Sequence, residues 1–350
     1  MTRRFTFAVP GDLSTPTGGY AYDRKVIAEL PAFGWHADVL DLGGDFPHPL
    51  PQTHERAFAL LATVRKGQPI VIDGLALGVL PDAATALRET HPLIGLVHHP
   101  LALENGLSKA EAAALQTSER AALSDVRHVI VTSANTARLL IAGYGVPRDR
   151  ITVALPGVAK VQRQRPRSRK GPLRLLSVGS IVPRKGYDVL IRALAKIADL
   201  PWKLTIVGDV RNAKTATQLD TEIASAGLKE RVRMVGAVPA ESLGEFYANA
   251  DVFVLASRFE GYGMAFAEAV AAALPVIGTT AGAIPEVVPA VAGILVPPDD
   301  VEALARVLRT VITDARQRET LSEGARAAAP NLPTWQAAAQ TFARVLESVA

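Results

Sequence analysis

Residues 257–288, SRFEGYGMAFAEAVAAALPVIGTTAGAIPEVV, carry the pattern that decides the fold. They follow an apolar run, Val252–Ala256, which has the length and composition of a strand. A glycine-rich turn, Glu260–Gly263, leads into an alanine-rich helix predicted for Met264–Ala273, and a second apolar run, Pro275–Gly278, comes next. A strand, a glycine turn, a helix and a strand in this order place a helix N-terminus at the carboxyl edge of a parallel sheet. The free N–H groups and the helix dipole at that edge suit an anion such as a diphosphate.

Two glutamates occupy this unit, Glu260 in the turn and Glu268 in the helix, with seven residues between them. A carboxylate beside an anion site needs another purpose, and an ionised glutamate can accept hydrogen bonds from sugar hydroxyls. Along a helix axis the two lie about 12 Å apart, so one sugar ring does not reach both unless the chain folds back at the turn. The alternative is a solvated pair of glutamates on an ordinary βαβ unit.

The segment E-G-Y-G-M-A-F-A-E-A, residues 260–269, resembles the E-x7-E signature of family 4 glycosyltransferases, which are retaining enzymes of the GT-B fold. Leu274–Ile277 and Pro285–Val288 resemble the same family. The resemblance implies an α/β chain with two Rossmann-like domains whose parallel sheets face each other across a cleft. It also implies transfer of a hexose from a nucleotide-diphosphate sugar, such as a UDP- or GDP-hexose, to a hydroxyl acceptor, without a metal and with retained anomeric configuration.

The resemblance assigns roles around the turn. Glu260 is expected to bind the donor sugar and Glu268 the nucleotide ribose, which is also the simpler arrangement for two carboxylates this far apart. Residues of the turn and of the first helical turn are expected to contact the same donor: Gly261, Tyr262, Gly263, Met264 and Ala265.

A second segment, Val178–Gly186, resembles the glycine-plus-basic segment with which the family clamps the donor diphosphate. Lys185 matches the family lysine and is the expected catalytic cation. Many members carry an arginine where this chain has Ser180, so Arg184 is a candidate to supply the missing charge. Positive charge at a helix start opposes the helix dipole, which favours an anionic partner over a solvated pair.

The first half of the chain offers two further candidates at strand ends. Gly18 and Gly19 follow the first strand and allow a backbone to approach a phosphate or a sugar closely, although a flexible loop explains them equally well. His98 and His99 lie at the end of a strand, at the carboxyl edge where open α/β sheets bind ligands. The family often places a histidine near the sugar here. We align His98 with it and keep His99 as the runner-up.

Length and composition restrict the class of protein. A chain of 350 residues has room for two cores, and apolar runs that alternate with helical patterns in both halves predict parallel sheets. We expect an acceptor-binding domain over 1–160 and a donor-binding domain over 171–332. The resemblance implies that a last helix, 333–350, packs back on the first domain. The chain has no cysteine, and no His, Asp and Glu residues have metal-ligand spacing. We therefore expect no metal and no cofactor.

The net charge of +4 raises the question of nucleic-acid binding. The basic excess lies in one segment, 160–170, which has six Lys and Arg residues and no Asp or Glu. A basic face over a whole domain is absent, which disfavours a nucleic-acid partner. We interpret the segment as a solvated linker, with contact to an anionic membrane or a phosphorylated acceptor as the alternative. No apolar run reaches the roughly 20 residues that span a bilayer and no signal-peptide core is seen, so we expect a cytoplasmic protein.

Other functions stay open on the sequence. A nucleotide-sugar epimerase or a phosphorylase of the same fold is one alternative, and a non-catalytic nucleotide-binding module is another. The acceptor, whether lipid, glycan or small molecule, is not readable because the first half of the chain carries the weakest motifs.

Overall fold

The computed structural model describes residues 3–104, 106–159 and 171–350, and the basic segment 160–170 therefore lies outside the described residues. The chain divides into two compact units. Unit 1 comprises Met1–Gly157 and Pro333–Ala350, and unit 2 comprises Val158–Leu332. Among the described residues, no helix is both long enough and apolar enough to cross a membrane.

Unit 1 is built on a parallel sheet of six strands in the order β2-β1-β3-β4-β5-β6. Its strands are β1 (Arg3–Val9), β2 (Trp35–Asp41), β3 (Ile70–Asp73), β4 (Leu93–Val97), β5 (His128–Val131) and β6 (Ile151–Val153). Its helices before the last one are α1 (Gly18–Glu29), α2 (Pro51–Ala62), α3 (Gly74–Leu77), α4 (Pro81–Leu87), α5 (Lys109–Ser124) and α6 (Ala134–Tyr144). The inner strands β3 and β4 are buried along their whole length, as expected for a parallel sheet covered on both faces. The strand order reverses between β1 and β3.

Unit 2 repeats the scheme with the order β12-β11-β10-β7-β8-β9. Its strands are β7 (Leu173–Val178), β8 (Trp202–Val207), β9 (Val232–Gly236), β10 (Val252–Val254), β11 (Val276–Thr279) and β12 (Gly293–Val296). Its helices are α7 (Tyr187–Ala195), α8 (Ala213–Ser225), α9 (Ala240–Asn249), α10 (Met264–Ala271), α11 (Ile284–Val287), α12 (Val301–Thr313) and α13 (Ala315–Ala328). Here the strand order reverses between β7 and β10. Ligands of open α/β sheets bind beside such a reversal, at the carboxyl ends of the strands.

The strands predicted at Val252–Ala256 and Pro275–Gly278 are present as β10 and β11, with ends that shift by one or two residues, and the predicted α/β class with parallel sheets is confirmed. Ser108 and Glu111 form a capping box at the start of α5, with both reciprocal hydrogen bonds. Two local details differ from the sequence patterns. Gly18 and Gly19 are the first residues of α1, which removes the flexible-loop alternative, because the Thr17 side chain accepts a hydrogen bond from the Tyr20 N–H and caps the helix there. The helix α10 ends at Ala271, since the chain turns before the next strand.

The last helix, α14 (Trp335–Val349), packs within unit 1 against α1. Phe342 lies at the centre of its buried face and is fully buried. Its ring centroid is 6.4 Å from that of Phe5 and 6.1 Å from that of Phe7, both on β1. The C-terminal segment therefore completes the core of the first unit.

This packing predicts a stability effect confined to unit 1. Phe342→Ala should lower the free energy of unfolding of unit 1 by about 3–5 kcal/mol, the usual cost of removing a buried aromatic ring. Hydrogen exchange in denaturant, which reports both units separately, is the measurement, and the amides of β7 in unit 2 are the internal reference. Arg344→Ala, at an exposed position of the same helix, should cost less than about 0.5 kcal/mol. Equal effects of the two variants on β1 would contradict the packing.

Candidate active site

Unit 2 gathers charged side chains where β7 and β10 end, on both sides of its strand reversal. The Lys185 ammonium donates to Glu260 Oε1 at 2.7 Å, and Arg184 Nη1 lies 3.4 Å from Glu260 Oε2. The Glu260 residue is only 5% exposed. Burial raises the pKa of its carboxyl, but Lys185 and Arg184 outweigh burial and hold the pKa below its ordinary value. Glu260 is therefore a buried, ionised carboxylate held by two cations.

Close backbone contacts hold the turn of Lys185 against the segment after β10, and the segment after β11 against the turn of Glu260. Gly186 follows Lys185 with φ +62°, and a Cβ there would lie 2.0 Å from the carbonyl oxygen of Ala256. Gly282 has φ +57°, and a Cβ there would lie 2.3 Å from the carbonyl oxygen of Glu260. Both positions require glycine, for the left-handed conformation and for the space. The sequence thus allows the lysine turn and the glutamate turn to meet.

Two hydroxyl groups order the segment around the Glu260 carboxylate. Ser257 Oγ donates to Glu260 Oε1 at 2.6 Å. The Ser257 carbonyl in turn accepts from Thr279 Oγ1, at the end of β11, at 2.5 Å. Serine and threonine at these positions give the carboxylate a single orientation.

The helix α10 begins directly after this turn. Its N-cap residue is Gly263, at φ +99°, which has no side chain to cap the first N–H groups, and the first turn holds no acidic residue. Met264 and Ala265 are partly exposed, whereas Gly261 and Tyr262 are buried. Of the residues expected to contact the donor, Met264 and Ala265 are thus partly accessible at the helix start, and Gly261 and Tyr262 are buried in the turn before it.

Glu268 belongs to a different set of contacts from Glu260. It lies on α10, where its Oε2 accepts from the Tyr247 hydroxyl at 2.8 Å. Burial raises the pKa of Glu268 to about 7, against the hydrogen bond from Tyr247. Ser180 lies just after β7 and is partly exposed, at the position where the family often has an arginine. The two glutamates of the motif therefore differ in charge environment.

Unit 1 places His98 at the carboxyl end of β4, next to two acidic side chains. The ring atom Nε2 lies 3.3 Å from Asp23 Oδ1 and 3.6 Å from Asp73 Oδ2. Asp23 is fully buried on α1 and Asp73 is buried at the end of β3. Asp73 uses its other oxygen to accept from the Leu75 N–H at 2.7 Å, so it caps α3 as well. The β1/β3 reversal of unit 1 therefore carries a histidine between two carboxylates.

The surroundings of His98 fix its ring and its charge. A Cβ added to Gly19 would lie 3.3 Å from the imidazole, so the first turn of α1 is in contact with the ring. The ring of Tyr22 stands edge-on to it, with centroids 5.3 Å apart. Burial alone lowers the pKa of His98, but Asp23 and Asp73 outweigh burial and raise the pKa to about 10. The two acids therefore favour the imidazolium form of His98.

We expected no metal because no His, Asp and Glu residues have metal-ligand spacing, and this cluster is one that spacing along the sequence does not show. In the described part of the chain, Asp23, Asp73 and His98 bring one ligand-type atom each within 4.8 Å of one another. They come from three elements far apart in sequence, so no spacing revealed them. Asp73, which ends a buried strand and precedes a glycine, was the one readable signal. Here the two carboxylates face an imidazolium, which itself supplies the positive charge.

His99 makes a separate contact. Its Nε2 lies 2.5 Å from Glu104 Oε1, in the segment that follows β4. The two adjacent histidines thus have different acidic partners, and only His98 lies beside Gly19 at the strand reversal. This arrangement favours His98 over His99 as the functional residue of the pair.

Comparison with known proteins agrees with this architecture. The family model described as Glycosyltransferase Family 4 matches residues 21–160, and the one described as Glycosyl transferases group 1 matches residues 158–328. A solved sucrose-phosphate synthase from Thermosynechococcus elongatus superposes with a TM-score of 0.81 over 99% of each chain, at 22% identity. At that identity the likeness concerns the fold.

Two curated relatives align over long stretches. The MMP alpha-(1->4)-mannosyltransferase of Mycolicibacterium hassiacum is 27% identical over 86% of this chain and 76% of its own length. The D-inositol 3-phosphate glycosyltransferase of Geodermatophilus obscurus is 30% identical over 68% of this chain, which spans 57% of that protein. The two family models adjoin and cover most of the sequence, and the chain therefore belongs to the family 4 glycosyltransferases of the GT-B fold.

Proposed function

We propose that this glycosyltransferase moves a hexose from a nucleotide-diphosphate sugar to a hydroxyl acceptor with retention of anomeric configuration. The observation that carries the proposal is the buried, ionised Glu260 held by Lys185 and Arg184 at the strand reversal of unit 2. Two cations beside a helix N-terminus suit a diphosphate, and a carboxylate in the same turn suits sugar hydroxyls. The mannosyl and inositol-phosphate relatives support a hexose donor and a polyhydroxylated acceptor.

Donor binding on this proposal redistributes charge that is already present. Lys185 and Arg184 contact Glu260 in the unliganded chain. A donor diphosphate would share these cations with Glu260 and accept from the first N–H groups of α10. Cations and hydrogen-bond donors that are held in place before the reaction stabilise the negative charge that develops on the leaving diphosphate. They do not have to reorganise when that charge appears. Ser180, in place of the family arginine, makes Arg184 the second cation.

In this proposal, His98 acts as a hydrogen-bond donor. A charged imidazole donates hydrogen bonds through both ring nitrogens and has no lone pair to take a proton. Because Nε2 is turned toward Asp23 and Asp73, Nδ1 is the nitrogen proposed to donate to a sugar hydroxyl. His98 is then not the base that deprotonates the acceptor. That proton is proposed to pass to an oxygen of the departing diphosphate, which needs no further protein group.

The proposal predicts selective stabilisation by one nucleotide sugar. In a thermal-shift screen of UDP-, GDP-, ADP- and dTDP-hexoses, a true donor at 100 times its Kd adds about 2.7 kcal/mol. That gain raises the Tm of a unit of this size by roughly 5–10 °C. The same donor should lose its sugar on incubation with an acceptor, at equal rates with EDTA and with added Mg²⁺ or Mn²⁺. No shift with any nucleotide sugar would contradict the proposed function, and activity lost in EDTA and restored by Mn²⁺ would contradict a metal-independent reaction.

The two glutamates should fail differently when the charge is removed. Glu260→Gln takes away the carboxylate that Lys185 and Arg184 contact, so nucleoside diphosphate should bind as tightly as in wild type or tighter. The variant should have a lower Tm than wild type, and bound nucleoside diphosphate should restore part of that loss. Turnover should fall by about ten- to a hundredfold, because the contact with the sugar is lost. Glu268→Gln is the matched variant and should instead weaken nucleoside diphosphate by about tenfold or more. Calorimetry on both variants decides, and the reverse pattern would exchange the two roles.

A pH dependence accompanies the role of Glu268. With a pKa near 7 in the free protein, its carboxylate is half protonated at neutral pH, and ribose hydroxyls bind better to the ionised form. Affinity for nucleoside diphosphate should therefore fall as the pH drops below about 7 and level off above it. Glu268→Gln should lack this dependence. A wild-type affinity that is constant from pH 6 to 8 would contradict ribose binding by this carboxylate.

For His98, the expected loss is in turnover and not in nucleotide affinity. His98→Ala and Asp23→Asn should each lower turnover by about ten- to a hundredfold, the effect of one charge-assisted hydrogen bond, with nucleoside diphosphate binding unchanged. By NMR the wild-type ring should stay protonated through neutral pH and lose its proton only near pH 10, because its pKa is raised; Asp23→Asn should lower that pKa. His99→Ala is the comparison. A larger loss there, or lost nucleotide affinity in His98→Ala with turnover intact, would overturn the assignment.

A further inference from the structure

Arg258, between the end of β10 and Glu260, uses its whole guanidinium group. Nη1 donates to the Pro183 carbonyl at 2.6 Å and to Asp188 Oδ1 at 2.9 Å, and Nη2 donates to Asp188 Oδ2 at 2.7 Å. Nε donates to Asp299 Oδ1 at 2.7 Å. The main-chain N–H of Arg258 adds a bond to the Arg184 carbonyl at 2.8 Å. One residue thus ties together four segments at the carboxyl edge of the sheet.

The segments it joins are those that carry the charged residues of the site. Pro183 begins the turn that contains Arg184 and Lys185, and Asp188 lies in the first turn of α7. Glu260 is two residues after Arg258 itself. Asp299 precedes α12 and has a left-handed backbone conformation, φ +61°, which aspartate adopts more readily than most residues other than glycine.

The contacts of Arg258 are not needed to neutralise a buried charge. Asp188 also accepts from Arg192 Nη2 at 2.6 Å, one helical turn further on. The side chain of Asp299 is 59% exposed. Removing the guanidinium therefore leaves no acidic group buried without a partner, and the ion pair with the exposed Asp299 contributes little to stability. What Arg258 supplies is geometry, since a planar fork with two-pronged contact fixes both direction and distance.

We propose that Arg258 is a positioning residue of the donor site: it holds the turn of Arg184 and Lys185 against the turn of Glu260, so that a diphosphate meets both cations already in place. This role rests on the proposed function of the same site. Arg258 does not touch the donor on this account; it acts through the positions of Arg184 and Lys185. Its loss should affect the diphosphate more than the rest of the nucleotide.

The test compares Arg258→Gln with a matched control elsewhere in unit 2. Arg309 also makes a two-pronged contact, to both oxygens of Asp199 at 2.8 Å, and bonds the Lys196 carbonyl at 3.3 Å. That contact lies before β8, at the amino edge of the sheet, so Arg309→Gln removes the same chemistry away from the site. Calorimetry with UDP, GDP and ADP, and with the matching monophosphates, is the measurement.

We expect Arg258→Gln to weaken the nucleoside diphosphate that wild type binds by about tenfold or more, and the monophosphate by less than about twofold. Arg309→Gln should change neither, and the two variants should have similar Tm values. Arg258→Lys, which cannot make the two-pronged contact, should recover only part of the loss.

The outcomes separate the two proposals. If wild type binds a nucleoside diphosphate and Arg258→Gln and Arg309→Gln bind it with equal affinity, the role of Arg258 is overturned and the proposed function is not. Equal losses for diphosphate and monophosphate would have the same consequence. A wild-type protein that binds no nucleoside diphosphate would overturn the proposed function and this proposal with it. If Arg258→Gln does not fold, Asp299→Ala, which removes an exposed partner, should show a smaller loss with the same preference for the diphosphate, and no loss there would also overturn the role.

Discussion

A buried carboxylate stays ionised only where nearby positive charge or hydrogen bonds replace its lost hydration, and Lys185 and Arg184 supply the charge for Glu260. The constraint reaches through unit 2. The turn after β10 and the turn after β7 must lie side by side, and this is possible because the strand order reverses between those two strands. Gly186 is needed so that these two backbones approach closely enough, and Gly282, after β11, allows a third segment to reach the Glu260 backbone. The ion pair thus connects the topology of the sheet to the chemistry of the site.

Unit 1 meets a similar requirement with different residues. At its own reversal, between β1 and β3, Asp73 ends one strand and α1 follows the other. The helix brings Gly19 and Asp23 to the imidazole of His98, which follows the neighbouring strand β4. Here the buried acids hold a cation, whereas in unit 2 the cations hold a buried acid. Both arrangements fix charges before any ligand arrives, which is what electrostatic stabilisation of a reaction requires.

Much of the fold and part of the site could be predicted because their signals are local. Short apolar runs indicate the strands, and the spacing of Ser108 and Glu111 indicates the capping box that they form. The Glu260 turn is contiguous with the helix that carries Glu268. Lys185 was found through resemblance and not through any physical signal of its own. Asp23 and Arg258 were missed, because a single acid within a helix and a single arginine beside a motif look like ordinary surface residues.

The sequence by itself determined the alternation of strands and helices, the parallel class of the sheets and the E-x7-E turn, because each depends on neighbours a few residues apart. Only the tertiary structure decided which charges meet. Asp23, Asp73 and His98 come from three separate elements, and Arg258 joins segments as distant as Asp188 and Asp299. The strand order that brings them together is set by packing of the whole sheet, and hydrophobic burial, which drives that packing, has no direction along the chain.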